Sequence, residues 1–486
     1  MQEVYQHGIQ VNEKPTQYEK PSNSQNSIQI VVGTAPVNMA ANPEEAANTV
    51  ILCRDFYEAK EKLGYSTDFR HYTLCQSMYA SFLVQKVAPV IFINVLDPAK
   101  HKKENQEAAV NVVNRQAVLS QQGILLQSVK VMDGENVLVP DKDYILSFQD
   151  SGEVNISFTS DISSVTVSST SIDPELVTYE DVIGGYDAAT GKETGMELLR
   201  RVFYVCGFFA APILVIPDFS RKKEVATMME LKCQEINGKY KATPVIDLPA
   251  PAGSQYTDCE EAKKELGVCL NETNLLYPMV KKDGYILSYS SLYAALMCAI
   301  DLANDDIPSL YYSNKELAVD AIVLEDGSEV LLDESEANTL NAAGIITAIK
   351  TDNFRTWGNR TACYPQNQDI KDSYSAIRRF FLFNNNRFQH TYMDFVDQNF
   401  DFRVVDAIVL NENLYCTGLV AAGKCAAMSI EIDTEKTTQD EIVSGHFFTK
   451  RKLAAYTPLE YIEDTMEYDV NALMEEFSSM WEGDDE

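Results

Sequence analysis

The sequence predicts a multidomain α/β protein with a small all-β domain inserted into it and an α+β C-terminal domain. Three observations carry this. At 486 residues the chain exceeds what one core ordinarily serves, so about two to four domains are expected. From residue 212 to 303, short apolar runs alternate with helical segments, the pattern of a mostly parallel sheet wrapped by helices. Between 124 and 172 the period changes to two: LLQSVKV, DYILSF, VNISFT and SSVTVSS are separated by Asp133-Gly134, Pro140-Asp141 and Asp150-Ser151-Gly152. That is the signature of a small β-sandwich or barrel.

The elements follow in order. Residues 1–25 are polar, with Pro15 and Pro21, and read either as a free tail or as an arm that adds the strand-like 7–11 (HGIQV) to a neighbour's sheet. Fully extended, the first twenty or so residues reach about 65–70 Å. IQIVVGTAP at 28–36 is a buried strand closed by Gly33 and Pro36, 72–86 an amphipathic helix, and VIFINVL at 90–96 a second buried strand. Residues 106–121 are polar and read as helical or linking. The Gly-rich 178–195 leads into a helix at 195–204.

Beyond it come strand 212–217 (PILVIP), helix 221–237, strand 243–248 (TPVIDL), helix 259–266, strand 275–280 (LLYPMV) and helix 290–303, capped by Ser290 or Ser291. A helix at 330–343 leads to Gly344 and a strand at 345–350. The helix 372–386 sets Tyr374, Ile377, Phe381 and Phe388 at helical spacing, with Arg378, Arg379 and Arg387 off that stripe. Then 404–410 reads as a strand or helix edge, 418–428 as helical and 428–432 as a strand entering the turn 433–436. Strand-like runs follow at 447–457 and 461–468, then a short helix at 471–480 and an acidic end at 482–486.

Composition removes several function classes. A net charge of −32 opposes nucleic-acid binding and docking on anionic membranes. The acids concentrate at the end, where eleven follow Lys452 with no base. The ten cysteines form no CxxC and no zinc-type cluster, so free thiols in a reducing compartment are expected. Residues 1–20 are too polar for a signal peptide, and the apolar run 202–216 is too short to span a bilayer and contains Pro212. Synthesis and retention in a cytoplasm are expected.

Catalytic patterns fail on inspection. Gly185 and Gly191 have five residues between them where a phosphate loop has four, and Glu193 follows Lys192 where Ser or Thr is needed. The histidines are His7, His71, His101, His390 and His446; none lies in 178–332, and there is no GxSxG. Asp218 and Asp247, at strand ends, read as solvated or capping acids. No EF-hand-like loop is visible. No catalytic, cofactor-binding or metal residue is assigned.

The stretch 351–361, TDNFRTWGNRT, concentrates unusual residues. Trp357 sits between Thr356 and Gly358, where the missing Cβ lets backbone pass close to a large ring, with Arg355 and Arg360 on either side. Residue physics alone reads this as a buried turn with two structural arginines. Taken with Gly344-Ile345 before it and the Arg378-Arg379 helix after it, the stretch resembles the C-terminal domain of contractile phage tail sheath proteins. Other segments resemble that family in the same order. They are HGIQV with VVGTAP and NVLDP, the D-x-I-G-G at 181–185, Tyr277-Pro278, the helix SYSSLYAALMCAIDLAND, Pro308 with Ser313-Asn314-Lys315, and the tail TPLEYIEDTMEYDV, similar to a closing strand.

The resemblance implies a subtilisin-like α/β domain and a division into a linking arm (1–25), a first α/β unit (26–105), the β insert (106–178), the subtilisin-like domain (179–335) and the sheath domain with its C-terminal arm (336–486). It implies a structural subunit that polymerises with copies of itself around a tail tube and contracts. Baseplate and tail terminator proteins are further partners. No cofactor, nucleic-acid contact or membrane insertion is implied. The protein is expected in the virion, assembled in the host bacterium's cytoplasm. Arg355, Trp357, Gly358, Arg360 and Thr361 become a structural signature. Arg378, Arg379 and Arg387 become tube or subunit contacts, and His7, Gly8, Ile9, Val11, Met466 and Tyr468 strand-exchange residues. The first domain diverges from the family, and the acidic extension past Val470 matches none of its patterns. The competing reading is a cytosolic α/β enzyme with an accessory β domain.

Overall fold

A six-stranded sheet forms the centre of the computed structural model. The structure describes residues 22–23, 25–149, 151–189 and 191–482. The strand order is Asn274–Leu276, Thr243–Asp247, Ala211–Val215, Ser27–Gly33, Val90–Asn94 and Val50–Cys53; the first five run parallel and the last is antiparallel. Every residue of Ser27–Gly33, Val90–Asn94, Ala211–Val215 and Thr243–Asp247 is buried. A strand covered on both faces needs apolar side chains at nearly every position, which is why these four read as apolar runs.

The chain starts in the middle of this sheet, builds outward through Val90–Asn94, then crosses back to add Ala211–Val215 on the other side. Residues 26–105 and 179–335, expected as separate α/β regions, therefore supply strands to a single sheet. Composition also hid the antiparallel edge strand Val50–Cys53 and the helix Phe56–Leu63. That helix is capped by Asp55, which accepts from the Glu58 N–H at 2.8 Å, and ends at Gly64. The segment expected as an amphipathic helix at 72–86 is Thr73–Met78 continued by a π-turn at Tyr79–Val84, and 72–82 are buried throughout. It is a core helix. Tyr289–Ala303 is another, packed across the sheet.

The insert is a β-sandwich. One sheet pairs Asn136–Val137, Lys130–Asp133, Ser164–Ser168 and Ala108–Asn111; the other pairs Tyr144–Phe148, Val154–Phe158 and Gln116–Leu119. Val154, Ile156 and Phe158 point inward and alternate with Asn155 and Ser157, and the sandwich has its own core. Residues 106–121, expected as helical or linking, supply two of its strands. Their inward positions Ala117 and Leu119 are spaced by two, but this strand is too short for the alternation to stand out. The ribbon Lys102–Glu104 with Thr170–Ile172 leads into and out of the sandwich. In 178–195 a short helix, Tyr179–Ile183, precedes the hairpin Gly185–Asp187 with Lys192–Thr194. The helix expected at 195–204 is a 3-10 turn, Gly195–Arg201, followed by Val202–Cys206.

The run 275–280 splits. Asn274–Leu276 stays in the central sheet, whereas Met279–Lys282 joins a second, antiparallel sheet with Tyr285–Leu287, Ala321–Val323 and Glu329–Val330. The helix Glu334–Ala342, capped by Asp333, ends just before Gly344, whose φ is +71°. A Cβ there would lie 2.6 Å from the Thr361 carbonyl oxygen and 2.7 Å from that of Tyr364. Gly344→Ala is expected to cost about 1–3 kcal/mol, read as a lower melting temperature of the protein.

The C-terminal layer holds the helices Ser375–Thr391 and Phe402–Ala421 and the hairpin Ala427–Ile432 with Thr449–Ala454. Residues 404–410 are helical, and the helix expected at 418–428 ends at Ala421. Phe402–Ala421 is long and apolar enough to cross a bilayer by composition. Its Glu412, however, is buried and binds Arg387 of the neighbouring helix and Arg451 of the hairpin.

Met1–Ala455 forms one compact unit and Tyr456–Glu486 another. In the second, 456–469 carry no regular secondary structure and Val470–Glu482 is helical. The strand expected at 461–468 does not form within a single chain.

Candidate functional site

The Trp-Gly stretch is a tie between elements far apart in sequence. Phe354–Trp357 pairs antiparallel with Thr347–Lys350. Thr356 is buried; its hydroxyl donates to the Tyr312 carbonyl at 2.5 Å, and its carbonyl accepts from the Asn314 N–H at 2.7 Å. The Arg355 guanidinium donates to the Asn314 carbonyl at 3.2 Å. Trp357 is half-buried and its indole N–H donates to Asn338 Oδ1 of the Glu334–Ala342 helix at 3.0 Å. Gly358 has φ +132° and its N–H donates to Ser313 Oγ at 3.0 Å; a Cβ here would strike the Asn341 side chain. Arg360 lies 3.9 Å over the Tyr374 ring and donates to that hydroxyl at 2.9 Å. The Thr361 hydroxyl donates to the Asp372 carbonyl at 2.7 Å. These contacts end on three different segments: the 312–315 loop, the Glu334–Ala342 helix, and the start of the Ser375–Thr391 helix with the residues just before it.

The three arginines of that last helix are all engaged inside the chain. Arg379 is fully buried. Its guanidinium reaches Tyr312 Oη at 3.1 Å, Thr243 Oγ1 at 3.3 Å, Ser27 Oγ at 3.1 Å, the Ala211 carbonyl at 2.9 Å and Asp301 Oδ2 at 3.0 Å. Asp301, also fully buried, accepts further from the Ser27 and Tyr312 hydroxyls at 2.6 and 2.8 Å. Ser27, Ala211 and Thr243 are the first residues of three neighbouring parallel strands, so this one side chain plugs the N-terminal end of the central sheet. The expectation of Arg379 as a tube or subunit contact is therefore corrected. The buried face of the helix runs through Ala376, Arg379, Phe380 and Phe383 rather than Tyr374, Phe381 and Phe388. Strand ends present polar backbone and hydroxyl groups that need donors, and a guanidinium supplies five.

Arg378 donates to Glu272 at 2.6 Å and to Asp372 at 3.4 Å. Arg387 binds Glu412 and stacks 3.6 Å over the Tyr415 ring. Glu272, whose side chain is 1% exposed, also takes Lys241 at 3.0 Å and Gln234 at 3.1 Å. Burial pushes its carboxyl up, but Arg378 and Lys241 with these hydrogen bonds outweigh burial and hold it below the usual range. Its contribution to stability is thus present above the unfolded-chain value and is lost as pH falls through the depressed one. Glu272→Gln should destabilise by on the order of 1–3 kcal/mol at neutral pH. The gap to the parent should narrow in melts taken as pH falls through that depressed value, where the parent carboxylate protonates too.

Among the described residues a hydrolase site does not assemble. Ser290 donates through its hydroxyl to Asp247 Oδ2 at 2.5 Å and through its N–H to Oδ1 at 2.8 Å. Asp247 thus caps the Tyr289–Ala303 helix from the end of a neighbouring strand, and Ser290, expected with Ser291 as a candidate cap, is one of the groups capped. Both side chains are buried, and burial pushes the Asp247 carboxyl up. The described histidines are engaged elsewhere: His71 with Asp68, His101 with the Asp97 N–H, His390 stacked on Phe208 and His446 with Glu441. Among the described residues no cluster of His, Cys, Asp or Glu is placed to hold a metal ion. Asp218, expected as a solvated or capping acid, pairs with Arg221 at 2.8 Å.

Of the strand-exchange candidates, His7, Gly8, Ile9 and Val11 lie outside the described residues. Met466 and Tyr468 lie in the irregular 456–469 segment, 91% and 77% exposed.

No protein-family model matches the sequence. The fold is that of contractile sheath subunits. The sheath of an extracellular contractile injection system (PVC) in its contracted state superposes with a TM-score of 0.56 at 13% identity, over 97% of this chain and 100% of that one. A chain of the anti-feeding prophage (AFP) baseplate superposes with a TM-score of 0.59 at 14% identity, over 95% and 99%. In sequence, the chain is 24% identical to the tail sheath protein of Burkholderia phage BcepMu over 488 residues, covering 96% of this chain and 98% of that protein.

Proposed function

We propose that the chain is the structural subunit of a contractile tail sheath, which polymerises around a tail tube and contracts to drive the tube through a bacterial envelope. The observation that carries this is the end-to-end match to a tail sheath protein, with no large part of either chain left over. The protein is a structural component of a virion tail, not an enzyme. It associates with copies of itself and with a baseplate; the tube and a tail terminator complete the partners in this reading. Ten free cysteines support assembly in a reducing bacterial cytoplasm.

We read the six-stranded sheet as the subtilisin-like core, with residues 26–105 and 179–335 contributing jointly, the sandwich at 106–178 inserted and 336–486 as the sheath domain. Arg355, Trp357, Gly358, Arg360 and Thr361 hold that last domain together. Residues 1–25, with His7, Gly8, Ile9 and Val11, and the segment carrying Met466 and Tyr468 are linking arms that pair with a neighbour's strands. Lack of regular structure at 456–469 supports this, since an extended segment with unpaired backbone groups can complete a sheet in another subunit. Arg378 and Arg387 are already paired within the chain and are secondary candidates for tube or subunit contacts. In the extended sheath, energy is stored in subunit packing and released by repacking during contraction, without a cofactor.

Negative-stain electron microscopy of the protein, expressed with and without its tube protein, tests the reading. Hollow cylinders of uniform width are expected. Small discrete particles under every condition, tube included, would refute it.

A further inference from the structure

The C-terminal helix Val470–Glu482 belongs to no sheath-like pattern in the sequence, yet it is built to bury one face. Val470, Leu473, Met474 and Phe477 recur at helical spacing and are 37–56% exposed. The segment after Lys452 carries eleven acids and no base, so two such segments repel each other. The partner surface must therefore combine apolar area with positive charge.

In this acidic chain the described surface around Arg200–Val205 does so. Arg200 and Arg201 of the Gly195–Arg201 turn are followed one turn later by Tyr204 and Val205 of Val202–Cys206. The two arginines are about half-exposed, and Tyr204 and Val205 are 79% and 61% exposed. Both guanidinium groups share the buried carboxylate of Glu193, and Arg200 and Lys232 share Glu197, so three cations face two carboxylates.

Resting on the sheath reading above, we propose that the Val470–Glu482 helix of one subunit docks by its apolar face on the Arg200–Val205 surface of a second copy, with the acids of its segment meeting the arginines. The irregular residues 456–469 act as the tether: fourteen residues span at most about 50 Å, enough to reach an adjacent subunit. The helix then anchors an arm whose preceding residues pair as strand, and the link weakens as salt rises.

The test places a photo-crosslinking amino acid at Met474 of the full chain and assembles a mixture of isotope-labelled and unlabelled subunits. Mixed-isotope crosslinks into 195–206 are expected in assembled material and are expected to disappear on dilution to monomer. In parallel, Phe477→Asp and Tyr204→Asp should each raise the protein concentration needed for assembly at least tenfold, a change of about 1.4 kcal/mol. Both sites are exposed, so both variants should melt as the parent does. Cylinders whose Met474 crosslinks stay within one subunit or fall on another surface would overturn the docking, as would assembly unaffected by both substitutions. Failure of the parent chain to form cylinders at all would instead remove the sheath reading, and this docking with it.

Discussion

Replacing Arg379 with methionine is expected to destabilise the Met1–Ala455 unit by about 3–5 kcal/mol, among the largest effects a single substitution can have. The reason is what it leaves behind. Asp301 keeps a full charge in a site with no exposure, and the Ser27 and Tyr312 hydroxyls cannot neutralise it. The Ala211 carbonyl and the Thr243 hydroxyl lose a donor at the same time. Arg379→Lys should recover only part of the loss, because one ammonium cannot reach acceptors spread over three strands. Arg379→Met with Asp301→Leu removes both charges and should be more stable than Arg379→Met alone, the pattern of a buried ion pair. Thermal melts of the unassembled subunit for the two single variants and the double variant measure this. A melting temperature for Arg379→Met close to that of the parent would show that the pair does not join the C-terminal layer to the sheet.

Truncation after Ala455 is expected to separate folding from assembly. It removes a separate unit in which none of residues 456–478 is buried. The truncated subunit should therefore melt as the parent does, yet form no cylinders at concentrations at least a hundredfold above those at which the parent assembles. The size of the effect comes from repetition. A main-chain hydrogen bond contributes only about 0.5–1.5 kcal/mol net, but in a polymer each arm turns later contacts into effectively intramolecular ones. Deleting residues 1–20 should act in the same way. Sedimentation and electron microscopy report assembly; normal cylinders from either truncation would assign the linkage to other surfaces.

How much of the fold is legible in the amino-acid sequence depends on how local each signal is. The four central strands are legible because burial on both faces demands apolar residues nearly throughout, whatever the neighbours are. The helix Cys259–Leu266 is legible to the residue, from its acid-first, base-last order and the Gly267 that ends it. The strands at 108–119 and 50–53 are not legible. Each is only four residues long, and its inward positions acquire meaning only from the sheet it joins. The segment 461–468 is strand-like in composition, yet it carries no regular secondary structure in the chain.

The sequence by itself determined the alternation of buried strands and helices, the inserted sandwich, and an order of motifs that resembles contractile tail sheath proteins. All of these depend on residue type and spacing within a few turns of chain. Tertiary structure alone decided that the first and second α/β regions share one sheet, that Ser290 is a group capped by Asp247, and that Arg379 is the most deeply engaged arginine of its helix. A charge is buried or exposed according to whether a counter-charge meets it, and Asp301 lies 78 residues away from Arg379. No periodicity within the Ser375–Thr391 helix records where that carboxylate is.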